Sequence, residues 1–317
     1  MDLVTFLILT YNSEKWIEEC INSVLNQTYI NLQVLIIDDG SSDSTVARIH
    51  QIFDNRIELF CKEHSGISKS LNFAMSKIKA DFVARIDSDD LCDKERIIKQ
   101  MKFMNENPEY GIIGSNFILV DEKGKQIDKI RNPRSNDDIV DQLPRRCCVW
   151  NGSLLMRNII LKKLNRFNEN LIAGEDWDFF LRAIGLTKFY NIQEFLSTKR
   201  IHSASISETD IAKQTTKKIL LNYNNTIIKN SEVKTEIAKS YFNIGYYYYY
   251  ESDFINAYKY FREALHKGGM NFQFIRYSFS AKYLKSCINF YRKYRLYKLF
   301  DWIRYFDNAN KFMRNKF

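Results

Sequence analysis

Two short apolar runs open the chain, over residues 3–9 and 32–37, and each stops at a polar, turn-forming tip. The tips read Thr10-Tyr11-Asn12-Ser13 and Asp38-Asp39-Gly40-Ser41-Ser42-Asp43. Between the runs, Trp16, Ile17, Cys20, Ile21, Val24 and Leu25 recur at helical spacing, which predicts a helix over 14–26 with these six on its apolar face. Asn12 or Ser13 is expected to cap it. The alternation continues with a helix at 44–53, a strand at 57–61, a helix at 67–77, a strand at 81–86 and a helix at 96–107 ended by Pro108. Near-continuous apolar strands between amphipathic helices predict a mostly parallel sheet covered on both faces. Strands at 111–120 and 125–130 flank a turn at 121–124. A short helix at 136–143, a strand at 153–157, a helix at 177–184 and the last strands within 189–201 follow. Everything from 208 onward reads as helix. The expectation is an α/β domain over 1–207 and an all-α region over 208–317.

In a parallel α/β sheet, ligands bind outside the carboxyl ends of the strands, so the polar tips are the site candidates. The densest is Asp87-Ser88-Asp89-Asp90, which follows the apolar Phe82-Val83-Ala84 and then Arg85. Three carboxylates in four residues repel one another, and a divalent cation with hard oxygen ligands removes the conflict. Mg2+ or Mn2+ holding a diphosphate is the chemistry this suggests. Arg85 can neutralise the cluster or bind phosphate. An acidic turn such as Asp38-Asp39-Gly40 can bond ribose hydroxyls or a base N–H. A fourth acidic group, Gly174-Glu175-Asp176-Trp177-Asp178, stands at a helix start, where the helix dipole favours negative charge. A carboxylate beside Trp177 and other acids can have its pKa raised, which suits a general base.

Taken together, these motifs resemble the family 2 glycosyltransferases, inverting nucleotide-sugar-dependent enzymes of GT-A fold. The resemblance covers about residues 1–205. It is carried by residues 9–12, 23–28, 34–43, 64–72, 84–90 and 174–178 in their joint order and spacing. It implies that Thr10, Tyr11 and Asn12 lie at the nucleotide, with Tyr11 near the base. Asp39 would bond the uracil edge of a UDP-sugar donor, with Asp38 as the lesser candidate. Lys69 and Asn72 fall at nucleotide or ribose positions. Asp87 and Asp89 match the DxD motif, one facing ribose or sugar and the other a metal, with Ser88 between them and Asp90 sharing the task. Asp176 matches the catalytic base, with Glu175 as orienter or substitute. His202, in Arg200-Ile201-His202-Ser203-Ala204-Ser205-Ile206-Ser207, is a further candidate for the metal or diphosphate. On the acceptor side, 131–172 includes Arg145, Arg146, Trp150, Asn151 and Arg157. Family members often have a His-Pro or similar pair where this chain has Trp150-Asn151.

Composition changes this picture mainly in the C-terminal third. Residues 1–214 hold 28 Lys+Arg against 31 Asp+Glu, a net −3, whereas 215–317 hold 19 against 7, a net +12. The last stretch, 283–317, mixes the cations with Tyr, Phe and Trp, which suits an anionic membrane surface. No nucleic-acid fold signature accompanies the charge. Ile244-Gly245, Tyr248, Ala257, Phe261 and Ala264 have the spacing of a tetratricopeptide hairpin over 238–267, flanked by helices at 209–230 and 272–290. That module would bind a protein partner or only cap the domain. Six scattered cysteines read as buried thiols of a reducing compartment. No run of about 18 apolar residues exists, and the N-terminus enters a strand without a leader pattern. A cytoplasmic enzyme, peripheral on the inner membrane face and acting on a glycan or lipid-linked acceptor, is expected. The alternatives are a nucleotidyltransferase, for which residues 9–16 offer only Lys15 as a phosphate-loop cation, and a helical-repeat binding protein with a non-catalytic GT-A domain.

Overall fold

The computed structural model describes residues 1–203 and 209–268. The expected helix at 272–290, the basic stretch 283–317 and residues 204–207 of the His202 segment lie outside the described residues. The chain divides into two compact units, with the division after Leu220.

The strands of the first unit are β1 (Val4–Thr10), β2 (Leu32–Asp38), β3 (Ile57–Cys61), β4 (Phe82–Asp87), β5 (Leu91–Cys92), β6 (Tyr110–Val120), β7 (Gln126–Ile130), β8 (Leu155–Arg157) and β9 (Lys188–Arg200). Its helices are α1 (Ile17–Leu25), α2 (Thr45–His50), α3 (Ile67–Met75), α4 (Arg96–Glu106), α5 (Asn136–Gln142), α6 (Asn158–Leu164) and α7 (Glu175–Ala183). One sheet runs in the order β3-β2-β1-β4-β8-β6-β9-β5, with β7 paired to β6. The β3-β2-β1-β4 half is parallel. Beyond it β8 inserts antiparallel between β4 and β6, and β6 and β9 are parallel again. Register sets the site: β1 is central, with Thr10 opposite Asp38 on one side and Leu9 opposite Asp87 on the other. The acidic tips of β2 and β4 therefore flank one strand end.

Alternate residues of β1, Val4, Phe6 and Ile8, pack into a core with Ile17, Ile21 and Val24 of α1 and Ile97 and Met101 of α4. Burying each such side chain contributes roughly 1.5–3 kcal/mol. The helix after β1 begins later than its apolar pattern suggested, at Ile17. Trp16 precedes it with φ −127° and ψ −15° and stays out of the core. Neither Asn12 nor Ser13 caps α1 with a side chain. The region 189–201 is one long strand rather than several. Helix α7 begins at Glu175, so both acids of that motif lie in its first turn. Of the five described cysteines, Cys61 and Cys147 are exposed, against the expectation of burial. No described helix is long and apolar enough to cross a membrane.

Arg96, at the start of α4, is fully buried and has carbonyl groups rather than a carboxylate as its main partners. It donates to the Arg85 and Leu154 carbonyls at 2.8 Å and to Gly152 at 3.0 Å, and its guanidinium lies 5.2 Å from the Phe6 ring centre. Burial pushes its pKa down to about 10, which still leaves it charged at neutral pH. It pins β4 to the 3₁₀ turn Asn151–Ser153 just before the acidic tip.

In the second unit, α8 (Asp210–Asn230) crosses the division and continues to α9 (Lys234–Tyr250) and α10 (Phe254–Gly268). Helices α9 and α10 form a hairpin whose seam holds Ala238, Phe242, Ala257, Phe261 and Ala264. A Cβ at Gly245 would stand 2.7 Å from the Phe261 ring, so the helices approach where glycine allows.

Replacing Arg96 with Ala leaves three buried carbonyls short of a donor and opens a cavity, a loss of about 3 kcal/mol or more. Urea unfolding at neutral pH measures it. A loss below about 1 kcal/mol would mean that water replaces the guanidinium.

Candidate active site

The tips of β1 and β2 are laced together. Asn12 adopts φ 50°. Its Oδ1 accepts from Ser42 N at 2.9 Å, and its N–H donates to Ser41 Oγ at 2.9 Å. Ser13 N–H donates to Thr45 Oγ1 at 2.7 Å, and the Ser13 and Ser88 hydroxyls bond at 2.7 Å. That last bond joins the β1 tip to the acidic loop. Thr10 Oγ1 is buried and has no hydrogen-bond partner among the described residues. Tyr11 is 48% exposed, and its ring stacks on His64 with centroids 4.3 Å apart.

The two adjacent aspartates have different work. Asp38 accepts from Gly40 N–H at 3.2 Å, Ser41 N–H at 3.0 Å and the Ser41 hydroxyl, so it closes its own turn. Gly40 is required there: φ is 80°, and a Cβ would stand 2.6 Å from His64 N. Asp39 reaches the next loop instead. It accepts from Lys62 Nζ, from Ser70 Oγ at 2.7 Å, and from the N–H groups of Gly66 at 2.9 Å and Ser65 at 3.1 Å. Burial opposes its ionisation, but these donors outweigh burial and hold its pKa at about 2.

On α3, Lys69 is exposed. Asn72, half-buried on the same helix, bonds to a distant loop. Its amide donates to Phe167 O at 3.1 Å and Glu169 Oε1 at 2.7 Å, while its Oδ1 accepts from Phe167 N–H at 2.8 Å. It fastens the 167–169 loop.

The β4 tip gathers the remaining acids. Arg85 is buried, 3% exposed. Its guanidinium lies 3.4 Å from both Asp87 Oδ1 and Glu175 Oε1. Asp89 Oδ2 stands 2.8 Å from His202 Nε2. Asp90 is buried and accepts from Arg200 N–H at 2.8 Å. The Arg200 guanidinium donates to Asp89 O at 3.1 Å, Glu122 O at 3.2 Å and Glu19 Oε2 at 2.8 Å. Burial and the neighbouring Asp87 push the Asp89 carboxyl upward against the pull of His202. Burial, Asp89 and Asp87 push Asp90 well upward.

The chain enters α7 through Gly174 at φ 74°, a left-handed turn that suits glycine. Glu175 is buried, and its pKa is raised to about 7 by burial and by Asp176, against Arg85. Asp176 is raised as well, by burial first and also by Asp87, against Arg85 and the Trp177 N–H bond of 2.7 Å. The Trp177 indole N–H is anchored to Leu143 O at 2.7 Å.

No three of the described His, Cys, Asp and Glu side chains converge as a metal cage. Asp87 leans on Arg85, and Asp90 on the Arg200 backbone. Of the expected ligands, Asp89 and His202 are the pair brought together. Donors on adjacent corners of an octahedron with bonds of about 2.0–2.1 Å stand roughly 3 Å apart, close to the 2.8 Å observed. One carboxylate and one imidazole, with the other positions left to phosphate oxygens and water, fit Mn2+ or Mg2+. Carboxyl pKa values raised by burial first, and then by neighbouring acids, are the electrostatic counterpart of that fit.

Three residues of this arrangement carried no motif signal of their own, Lys62, Arg96 and Trp16, and His64 was visible only as the first residue of the 64–72 stretch. Arg200 was visible only as part of the His202 segment. Repeated basic or acidic patterning marks none of them, and only the fold brings them to the acids.

Glu175, buried, and Asp176, half-buried, thus stand at a helix start beside the acidic tip of β4 in a mixed α/β sheet. Residues 5–163 match Glycosyl transferase family 2, and the chain belongs to that family. It is a glycosyltransferase. The O-antigen biosynthesis glycosyltransferase WbnJ of Escherichia coli is 28% identical over 218 residues, 67% of this chain and 85% of that protein. The S. aureus TarS fragment 1–349, solved in complex with UDP-GlcNAc, superposes with a TM-score of 0.64 at 18% identity, over 84% of this chain and 81% of that one. The mannosyltransferase PcManGT of Pyrobaculum calidifontis, solved with GDP-Man and Mn2+, gives 0.58 at 14% identity, over 93% of this chain and 88% of that one. The likeness to these two structures is one of fold, and the fold is GT-A.

The raised Glu175 carboxyl has a thermodynamic signature. Between its ordinary 4.5 and about 7 the folded state keeps a proton that the unfolded state has lost. Stability therefore falls as pH rises through this window, and the penalty is complete above about 7. Glu175→Gln removes the dependence, so its stability relative to the wild type should rise from pH 5 to pH 8 by on the order of 2 kcal/mol. Urea melts at the two pH values check this, and an unchanged difference would place the Glu175 carboxyl at its ordinary value.

Proposed function

We propose that this chain is a metal-dependent inverting glycosyltransferase that moves a sugar from a UDP-sugar to a hydroxyl of a glycan or lipid-linked acceptor in cell-surface polysaccharide synthesis. One observation carries the reading. A single buried guanidinium, Arg85, touches Asp87 of the β4 tip and Glu175 of α7 at 3.4 Å each. The donor wall and the base wall are thus one electrostatic unit. The named WbnJ role in O-antigen biosynthesis supports the polysaccharide setting, and the UDP-GlcNAc complex of TarS supports the donor class. The Mn2+ in PcManGT supports a divalent ion.

In this reading Tyr11 offers its half-exposed ring to the base, and Asp39, locked ionised by its four donors, lies beside it. Thr10, Asn12 and Lys69 line the nucleotide side, with Ser88 and Asp87 toward the ribose and sugar. Asp89 and His202 would hold Mn2+ or Mg2+, which would supply charge neutralisation at the diphosphate and leaving oxygen. Asp90 keeps the loop in shape through Arg200. Asp176 takes the acceptor proton as the hydroxyl attacks the anomeric carbon from the face opposite the leaving group, so the centre inverts. Its raised pKa suits that task, because a base of too low a pKa is a poor proton acceptor. Glu175 balances Arg85 beside it. Residues 1–207 form the transferase domain. Residues 208–317 make up a second region, whose tetratricopeptide-like hairpin at 238–267 would take a protein partner and whose basic sequence at 283–317 would suit the inner membrane surface.

A panel of UDP-, GDP- and dTDP-sugars, scored for nucleotide release with Mn2+ and with EDTA, is the direct test. Metal-dependent release from a UDP-sugar is expected, and release indifferent to EDTA would end the metal reading. Asp176→Asn should lower turnover by about 10²–10⁴-fold, with UDP affinity measured by calorimetry unchanged. Near wild-type turnover would remove Asp176 as the base.

A further inference from the structure

We infer that Trp16 is a positioning residue, which holds the His202 imidazole at the edge of Asp89 and so sets the divalent-metal affinity of the site. The inference rests on the metal reading above. Trp16 stands just before α1, where the start of the helix leaves its ring outside the core. Its ring stacks on His202, with centroids 4.2 Å apart and planes at 28°. At the edge of the same imidazole, Nε2 meets Asp89 Oδ2 at 2.8 Å. Lys15 Nζ lies 5.6 Å from the Trp16 ring centre and pairs with Glu122 at 3.2 Å. The Glu122 carbonyl in turn accepts from Arg200, two residues before His202. Both the ring and the strand end carrying it are therefore braced from the α1 side.

The physical consequence is entropic. An imidazole turns about two side-chain bonds, and a metal gains from it only when the ring nitrogen already faces the carboxylate. A stacked indole confines the ring plane and leaves the nitrogen in place. Groups that orient a ligand from behind typically change metal affinity by about 10–100-fold.

The full-length chain is titrated with Mn2+ alone, and free Mn2+ is followed by its electron paramagnetic resonance signal. Trp16→Ala and Trp16→Leu should each weaken Mn2+ binding by roughly tenfold, because neither offers a stacking face. Trp16→Phe should bind near the wild-type level. Melting in EDTA should be the same for all three, as expected for a half-buried residue outside the core. His202→Ala and Asp89→Asn separate the two layers of the argument. If they lose Mn2+ while Trp16→Ala and Trp16→Leu bind like wild type, the positioning role is wrong and the metal reading stands. If Trp16→Leu binds like wild type while Trp16→Ala does not, apolar bulk rather than stacking is at work, and the inference also fails. If His202→Ala and Asp89→Asn bind Mn2+ unchanged, or the wild type binds none, the metal reading fails and takes the inference with it.

Discussion

Five carboxyl groups crowd the carboxyl end of this sheet: Asp87, Asp89 and Asp90 after β4, and Glu175 and Asp176 at the start of α7. Buried charge is costly unless it is paired and hydrogen-bonded, and the architecture around the site answers that cost. Arg85 divides itself between Asp87 and Glu175. Arg200 does not form an ion pair with the loop acids; it holds the Asp89 carbonyl with its guanidinium and the Asp90 carboxyl with its backbone N–H. Behind both, Arg96 fixes the Arg85 carbonyl from inside the core. The compensation is incomplete, and the raised Asp89, Asp90, Glu175 and Asp176 carboxyls show it. A strand tip left short of positive charge attracts a cation.

Much of this was legible because apolar runs and acidic tips are local features. The first four strands are mostly apolar, so their pattern finds them, and the rule for parallel sheets then points to their tips. The acidic clusters at 87–90 and 174–178 are visible for the same reason. What stayed hidden depends on long-range geometry. Trp16 continues the apolar spacing of α1, so a helical reading sends it into the core; the helix begins one residue later, and the ring goes to His202. Asn72 sits in a motif stretch, yet its amide has the right reach for a loop about 95 residues away. Arg96 is only the first residue of the 96–107 helix in the sequence, and nothing local announces three carbonyls waiting for it. Strand β5 is two residues long and exists only because β9 passes beside it.

The Asp38-Asp39 pair shows how adjacent identical residues take opposite duties. A strand alternates its side chains, and the turn begins between these two. Asp38 still faces back into its own turn, where Gly40 and Ser41 saturate it. Asp39 faces the β3–α3 loop and ties Lys62, Ser65, Gly66 and Ser70 to the β2 tip. Its low pKa means that this tie persists across the physiological range. The wall carrying Tyr11 and His64 is therefore built on a permanent anion, whereas the opposite wall is built on carboxyls with raised pKa values.

That contrast bears on how the two halves of the site depend on each other. The dipole of α7 and the Arg85 guanidinium both favour ionised acids at the helix start. Burial opposes them, and so does Asp87, which raises both Glu175 and Asp176 from across the sheet. The proton affinity of the α7 acids thus includes a contribution from the tip of β4. Any ligand that changes the charge at that tip changes the proton affinity of α7 through the same guanidinium. An added cation lowers it, and an added anion raises it. The Arg85 contact makes the basicity of α7 a property of what occupies the β4 tip rather than of α7 alone.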